Sequence, residues 1–199
     1  MKQKLVILGA AESGVGAAIL GQKKGYDVFV SDYGVIKDHY AQSLTSNGIS
    51  WDDNGHTLSK IISADIVVKS PGIADVAPII THVKKAGVKV ISEIEFAAQF
   101  TQATIVAITG SNGKTSTASL TYALIKDELD AALGGNIGES FAAQVASQDC
   151  KNYVLELSSF QLDGIEKFAP HIAVLTNLSP DHLDRYENSY QKYIASKFR

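Results

Sequence analysis

The stretch TIVAITGSNGKT, Thr104–Thr115, sets a short apolar run directly before a turn flanked by Gly110 and Gly113 that ends in lysine and threonine. An apolar run bounded by glycine reads as a buried strand, so Thr104–Ile108 is predicted as a strand and the residues from Lys114 as a helix. A phosphate cradle needs backbone N–H groups converging on one point, which calls for glycines in unusual torsions. It also needs a lysine for the β- and γ-phosphates and a hydroxyl for Mg²⁺. Gly110, Gly113, Lys114 and Thr115 supply these parts between strand and helix, and the helix N-terminus adds partial positive charge. The usual pattern carries a glycine five residues before the second glycine. That position is Ile108, so the loop is a variant, T-G-x-N-G-K-T. A glycine turn with a chance lysine is the competing reading.

Outward from this loop, short apolar runs alternate with helical patterns, the signature of a parallel α/β architecture. Strands are predicted at Lys4–Leu8, Asp27–Ser31, Ile49–Trp51, Asp65–Lys69 and Val88–Ile91, and again at Thr104–Ile108, Tyr153–Leu157 and Ile172–Thr176. Helices are predicted from the first glycine turn to about Lys24, at Asp38–Asn47 and from Pro78 to Ala86. The helix after Lys114 is expected to bury Leu120, Ala123 and Leu124 as one apolar face. A soft boundary near Ser92–Glu95 divides the chain into two α/β units, residues 1–93 and 94–199. Tyr190–Arg199 reads as a helix without a stop signal, which suggests truncation within the second unit.

With 45% apolar and 20% charged residues, the 199-residue chain has the composition of a globular protein. A net charge of −3 with scattered basic residues argues against nucleic-acid or anionic-membrane binding. The single cysteine, Cys150 in the polar turn Ser147–Asn152, excludes an internal disulfide and fits a reducing compartment. No apolar run approaches the roughly 18 to 20 residues needed to span a bilayer, and a strand, not a signal peptide, follows the first residues. A cytoplasmic monomer is expected.

Glu156 lies near the end of the strand YVLEL among apolar neighbours, where a carboxylate is costly unless it meets a cation. In a parallel sheet the strand ends share one crevice with the phosphate loop. Glu156 is therefore read as a Mg²⁺ ligand opposite Thr115, or else as a buried carboxylate paired with a lysine. His182 follows the strand IAVLT within a polar cluster and belongs to the same rim as a functional or a structural histidine. His39, His56, His82 and His171 lie in polar contexts and receive no role. The first turn, Gly9–Gly16 (GAAESGVG), sits where a dinucleotide loop would, but Ala11 replaces the glycine that lets a pyrophosphate approach. Asp32 ends the second strand, and Lys69–Ile73 (KSPGI) forms another loop on that edge. Together they suggest a second nucleotide-like ligand, or a turn made for packing alone.

The motifs TGSNGKT (Thr109–Thr115), GNIG (Gly135–Gly138), ELSSFQL (Glu156–Leu162), NLSPDHLDRY (Asn177–Tyr186) and SPGI (Ser70–Ile73) together resemble the Mur ligases of peptidoglycan synthesis, and within them the D-glutamate-adding members. The resemblance implies a Rossmann-like parallel-sheet N-terminal domain followed by part of a P-loop ATPase domain. It implies that ATP phosphorylates the carboxylate of UDP-N-acetylmuramoyl-L-alanine and that the D-glutamate amine attacks the acyl phosphate. It assigns ATP to Gly110, Ser111, Asn112, Gly113, Lys114, Thr115 and Ser116. It assigns two Mg²⁺ ions to Thr115, Glu156, His182 and Lys197, with Lys114, His182 and Lys197 catalytic and Lys197 carbamylated. It places the UDP part at Ser13, Gly14, Asp32, Ser70, Pro71 and Gly72, and the muramoyl-alanine end at Asn136, Ser158 and Gln161. The resemblance covers the first domain of the family and about half of the second, so these residues alone are expected not to complete ligation. The competing functions are another Mur-type or folylpolyglutamate-type ligase and a nucleotide-binding module without chemistry.

Overall fold

The strands Lys4–Leu8 (β1), Asp27–Ser31 (β2), Ser50–Asp52 (β3), Ile66–Lys69 (β4) and Lys89–Ser92 (β5) form one parallel sheet in the order β3-β2-β1-β4-β5 in the computed structural model, which describes residues 2–147 and 150–199. Its helices are Glu12–Lys23 (α1), Asp38–Ser46 (α2), Leu58–Ile62 (α3), Pro78–Lys85 (α4) and Glu93–Ala98 (α5). A second parallel sheet contains Thr104–Thr109 (β6), Ala131–Gly135 (β7), Asn152–Glu156 (β8) and Ile172–Leu175 (β9), ordered β7-β8-β6-β9. It carries Lys114–Ile125 (α6), Phe141–Ser147 (α7), Ser159–Leu162 (α8) and Tyr190–Lys197 (α9), with a 3₁₀ turn at Leu183–Tyr186. The predicted strands all form, within about a residue or two at their ends.

β7 lacks a counterpart in the sequence reading. Its sequence AALGG carries two glycines and one large apolar residue, so it has no strand propensity of its own and forms by pairing with β8. The polar turn expected around Cys150 includes Gln148 and Asp149, which lie outside the described residues.

The face of α6 expected in the core faces solvent: Leu120 is 63% and Leu124 74% exposed. The buried face is built instead on Ala118, which packs with Ile108 and Val154 alongside Tyr122 and Ile125. From Ala118 onward apolar residues occupy two opposite faces of this helix, so spacing alone could not choose between them.

One apolar cluster runs through both sheets, from Leu5, Ile7 and Leu20 through Phe96 to Phe141, Tyr153 and Leu155. The backbones of α1 and α7 approach closely, since a Cβ on Gly16 would stand 2.2 Å from Ser140 Oγ and 2.9 Å from Ala143 N. Three carboxylates reinforce this join, Glu93 and Glu95 buried and Glu12 exposed. Glu12 accepts from Ser140 N–H, Glu93 from Ala142 N–H, and Glu95 from the N–H groups of Glu166, Lys167 and Phe168.

Burial raises the Glu93 carboxyl from 4.5 to about 7, opposed by the Ala142 N–H and assisted by the charge of Glu12. The folded state therefore holds the Glu93 proton more tightly than the unfolded state does. Stability should fall as pH rises from 4.5 through about 7, by up to about 3 kcal/mol. Glu93→Gln, which cannot ionise, is expected to flatten that part of the profile in urea denaturation at pH 5 and pH 8. An unchanged pH slope would show that Glu93 is not its source.

Candidate functional site

The phosphate loop follows from strand geometry. β6 ends at Thr109, Gly110 follows with φ +145°, and Gly113, with φ +79°, precedes the first residue of α6. A side chain at Gly110 would also place its Cβ 2.0 Å from Thr176 Oγ1. The Lys114 ammonium bridges the loop, donating to the carbonyl oxygens of Gly110 and Ser111 at 2.9 Å each.

Asn177 and Ser179, from the NLSPDHLDRY segment, wrap this loop. Ser111 N–H donates to Asn177 O and Asn112 N–H to Asn177 Oδ1, both at 3.0 Å. Asn177 Nδ2 and the Thr176 hydroxyl donate back to Asn112 O. The buried Ser111 hydroxyl bonds Ser179 O at 2.8 Å and Tyr193 OH at 2.9 Å. Ser111 and Asn112, which the resemblance assigns to ATP, thus use these donors to hold the loop to its neighbour. The amides free of helical acceptors are those opening α6, at Lys114, Thr115 and Ser116. Ser116 itself is exposed.

Glu156 ends β8 at 1% exposure, with Ile108 of β6 and Gly135 of β7 as its neighbours in register. Thr115 Oγ1 donates to its Oε2 at 2.6 Å, and Asn136 Nδ2 to its Oε1 at 2.8 Å. The competing lysine pair is not what holds it. Both direct partners are neutral, and the Lys197 ammonium acts on it only through space, so the carboxylate keeps lone pairs free for a cation. A carboxylate and a hydroxyl are hard oxygen donors of the kind Mg²⁺ takes together with phosphate and water oxygens. No group of three or more His, Cys, Asp or Glu side chains among the described residues is disposed to hold a metal. The protein share of such a site is therefore small, as Mg²⁺–nucleotide sites allow.

Lys197 is buried on α9 and donates to Thr109 Oγ1 at 3.2 Å, with its ammonium 5.3 Å from the Tyr193 ring centre. Burial, then the charge of Lys114, pushes its pKa down to about 8. His182 adopts a left-handed backbone, φ +49°, and is 55% exposed. Its ring lies 5.1 Å from that of Phe160 and its Nε2 3.5 Å from Asp181 Oδ2. So Lys197 joins Thr109 at the loop, whereas the contacts of His182 lie with Phe160 and Asp181. Asn136, expected at substrate, orients Glu156. Ser158 and Gln161 are engaged with each other as the capping box of α8.

On the edge of the first sheet, the Asp32 carboxylate accepts from Ala10 N at 2.7 Å and Gly34 N at 2.9 Å, holding the first turn. Gly14 is a packing requirement, because a Cβ there would lie 1.8 Å from Gly9 O; Ser13 precedes it in the first turn of α1. Ser70 N–H donates to Leu8 O, Pro71 O accepts from Arg185 Nη2 at 3.3 Å, and Gly72 has open space around it. A cavity of about 500 Å³ opens here between Asp32, Tyr33, Ser70, Ile73 and His56. His56 was given no role in the sequence reading, yet it is half-buried and bonded to Ser31 Oγ at 2.8 Å. Its usable signal was its place just after β3, on the edge that carries Asp32. His171 too has a structural task, accepting from Ile105 N–H at 3.1 Å.

The profile of the Mur ligase middle domain matches residues 108–199, and that of the MurD N-terminal domain matches residues 3–79. The chain belongs to the Mur ligase family. Among curated Mur ligases it is 56% identical over 200 residues to the UDP-N-acetylmuramoylalanine--D-glutamate ligase of Christiangramia forsetii, covering 100% of this chain and 45% of that protein. The enzyme of that name from Bacteroides fragilis is 53% identical over 198 residues, with 99% and 45% covered. The chain thus spans about half the length of the curated relatives it matches. Among solved structures, the UDP-N-acetylmuramate:L-alanyl-gamma-D-glutamyl-meso-diaminopimelate ligase from Neisseria meningitides aligns with TM-score 0.64 at 20% identity, over 99% of this chain and 68% of that one. The UDP-N-acetylmuramate-alanine ligase of Thermotoga maritima aligns with TM-score 0.61 at 21% identity, over 97% and 45%. These two show the fold as that of Mur ligases: a Rossmann-like parallel sheet followed by a second parallel α/β sheet.

Gly110→Ala should destabilise the fold by about 2 kcal/mol or more, through both the left-handed torsion and the clash with Thr176. Gly72→Ala, in open space, should stay within about 0.5 kcal/mol. Denaturant midpoints compare them, and equal shifts would contradict the packing described for the loop.

Proposed function

We propose that this chain carries the ATP-binding and UDP-substrate-binding parts of a ligase that joins D-glutamate to UDP-N-acetylmuramoyl-L-alanine. The observation that carries the proposal is the Thr115–Glu156 pair, a hydroxyl and a buried carboxylate 2.6 Å apart at the mouth of a phosphate loop. The curated relatives bear the name of that reaction across the whole length of this chain. Residues 1–93 are assigned to the UDP substrate and residues 94–199 to ATP. No helix among the described residues is long and apolar enough to cross a membrane. With the lone cysteine, this supports a cytoplasmic setting, and we assign a monomer.

In this reading Lys114 swings from its loop carbonyls onto the β- and γ-phosphates, while the opening amides of α6 face the same oxygens. The substrate carboxylate attacks the γ-phosphorus and ADP departs. The amine of D-glutamate then attacks the acyl carbon, loses a proton and expels phosphate. Thr115 and Glu156 would hold one Mg²⁺ and His182 with Lys197 a second, which would supply charge neutralisation at the transferring phosphoryl group. Asn136 keeps the Glu156 carboxylate turned toward Thr115. The lowered pKa of Lys197 makes its amine about half neutral near pH 8, and a neutral amine can add CO₂ and release a proton to become a carbamate.

In calorimetry, Glu156→Gln should lose most of the gain in ATP affinity that Mg²⁺ brings, and Lys114→Ala most of the affinity itself. In the whole protein, either change should lower phosphate release by about a hundredfold or more. A Glu156→Gln protein with undiminished Mg²⁺ response would sink the metal assignment. For Lys197, ¹³C-bicarbonate NMR should show a carbamate carbon that grows as pH rises through about 8 and is absent from Lys197→Arg. A signal of equal size in that variant would assign the carbamate elsewhere.

A further inference from the structure

His56 stands in the cavity of the first sheet with a fixed hydrogen-bond direction. Ser31 is fully buried at the end of β2, and its hydroxyl lies 2.8 Å from His56 Nδ1. A buried hydroxyl needs an acceptor for its proton, and Nδ1 is the acceptor at hand. Nδ1 is then unprotonated, and a neutral imidazole carries its hydrogen on Nε2. Burial holds the imidazole below its ordinary pKa, against the pull of the Asp52 and Asp32 carboxylates, so the ring is neutral at pH 7 and above. Nε2–H is the polar group left for whatever fills the cavity.

The rest of the cavity suits a flat ring. Ile73, Ala77, Pro78 and Ile79 form an apolar wall. Tyr33 is 78% exposed, with its ring centre 5.9 Å from that of His56. Such an exposed aromatic offers a face on which a nucleobase stacks. Both Asp32 oxygens accept backbone N–H groups and keep lone pairs for a sugar hydroxyl.

We infer that His56 is a specificity residue for the base of the nucleotide substrate, donating from Nε2 to a ring carbonyl while Tyr33 stacks on the base. This rests on the assignment of the first sheet to the UDP substrate. A donor at this place suits uracil, whose carbonyl oxygens project from a small ring, and suits adenine less, because adenine has no carbonyl and offers only ring nitrogens set at other positions of a larger base.

The test measures UDP and ADP binding by calorimetry, with the phosphate loop saturated by a non-hydrolysable ATP analogue. Wild type should prefer UDP. His56→Ala should weaken UDP by about tenfold and leave ADP unchanged, which erases most of the preference. His56→Gln, which restores an N–H donor, should recover part of it, and circular dichroism of both variants checks the fold. His56→Ala with undiminished UDP affinity and preference overturns the role of His56 alone. Wild type that binds no UDP overturns the assignment of the first sheet, and this inference with it. Equal loss in the alanine and glutamine variants, with the fold intact, assigns His56 to packing instead.

Discussion

A carboxylate at 1% exposure inside a parallel sheet is tolerable only if the chain brings groups to it, and Glu156 determines which groups those are. β8 lies between β6 and β7, so the residues that follow both neighbours emerge beside Glu156. After β6 the chain turns through the phosphate loop and delivers Thr115. After β7 it delivers Asn136. Gly135 permits this approach, since its φ is +96° and a Cβ would stand 2.3 Å from Glu156 O. Strand order, the glycine turns and the buried charge form a single arrangement, and exchanging β7 and β9 would dismantle it.

The same economy links the two sheets. The segment Thr176–Tyr186 holds the phosphate loop through Asn177 and Ser179, then places Arg185 over the Phe160 ring at 4.3 Å and against Pro71 O in the first sheet's loop. On the opposite side, Glu12, Glu93 and Glu95 tie α1 and α5 to the second sheet. The proposed phosphoryl transfer from ATP to the carboxylate of a second nucleotide-bearing ligand needs the reacting groups at a fixed separation. The shared apolar cluster and these ties give the loops a common rigid base.

Most of this fold was legible in the sequence because parallel strands buried on both faces read as unbroken apolar runs. KLVIL, DVFVS and TIVAI could be placed within a residue, and the phosphate loop identified itself by residue type and spacing. Three features resisted for physical reasons. AALGG becomes β7 only through its partner. From Ala118 onward α6 carries apolar residues on opposite faces, Ala118 and Tyr122 on one and Leu120 and Leu124 on another, so its buried face is chosen by Ile108 and Val154 rather than by its own pattern. His56 sits in the polar string DDNGHT, and its value arises from Ser31 and Tyr33, remote in sequence. At the site, strand position indicated that Glu156 would lie near the loop, and the structure sets it against Thr115, with Lys197 against Thr109. That Ser111 and Asn112 would bond to Asn177 required the fold.

The central claim is that the Thr115–Glu156 pair is the protein half of a nucleotide-bound Mg²⁺ site. A crystal structure of this chain with an ATP analogue and Mn²⁺ in place of Mg²⁺ tests it most directly, because anomalous scattering locates the metal. The account predicts a peak within about 2.3 Å of both Thr115 Oγ1 and a Glu156 oxygen, with the Lys114 ammonium moved onto phosphate. A bound nucleotide whose metal lies elsewhere, with the Thr115–Glu156 hydrogen bond intact, would contradict it.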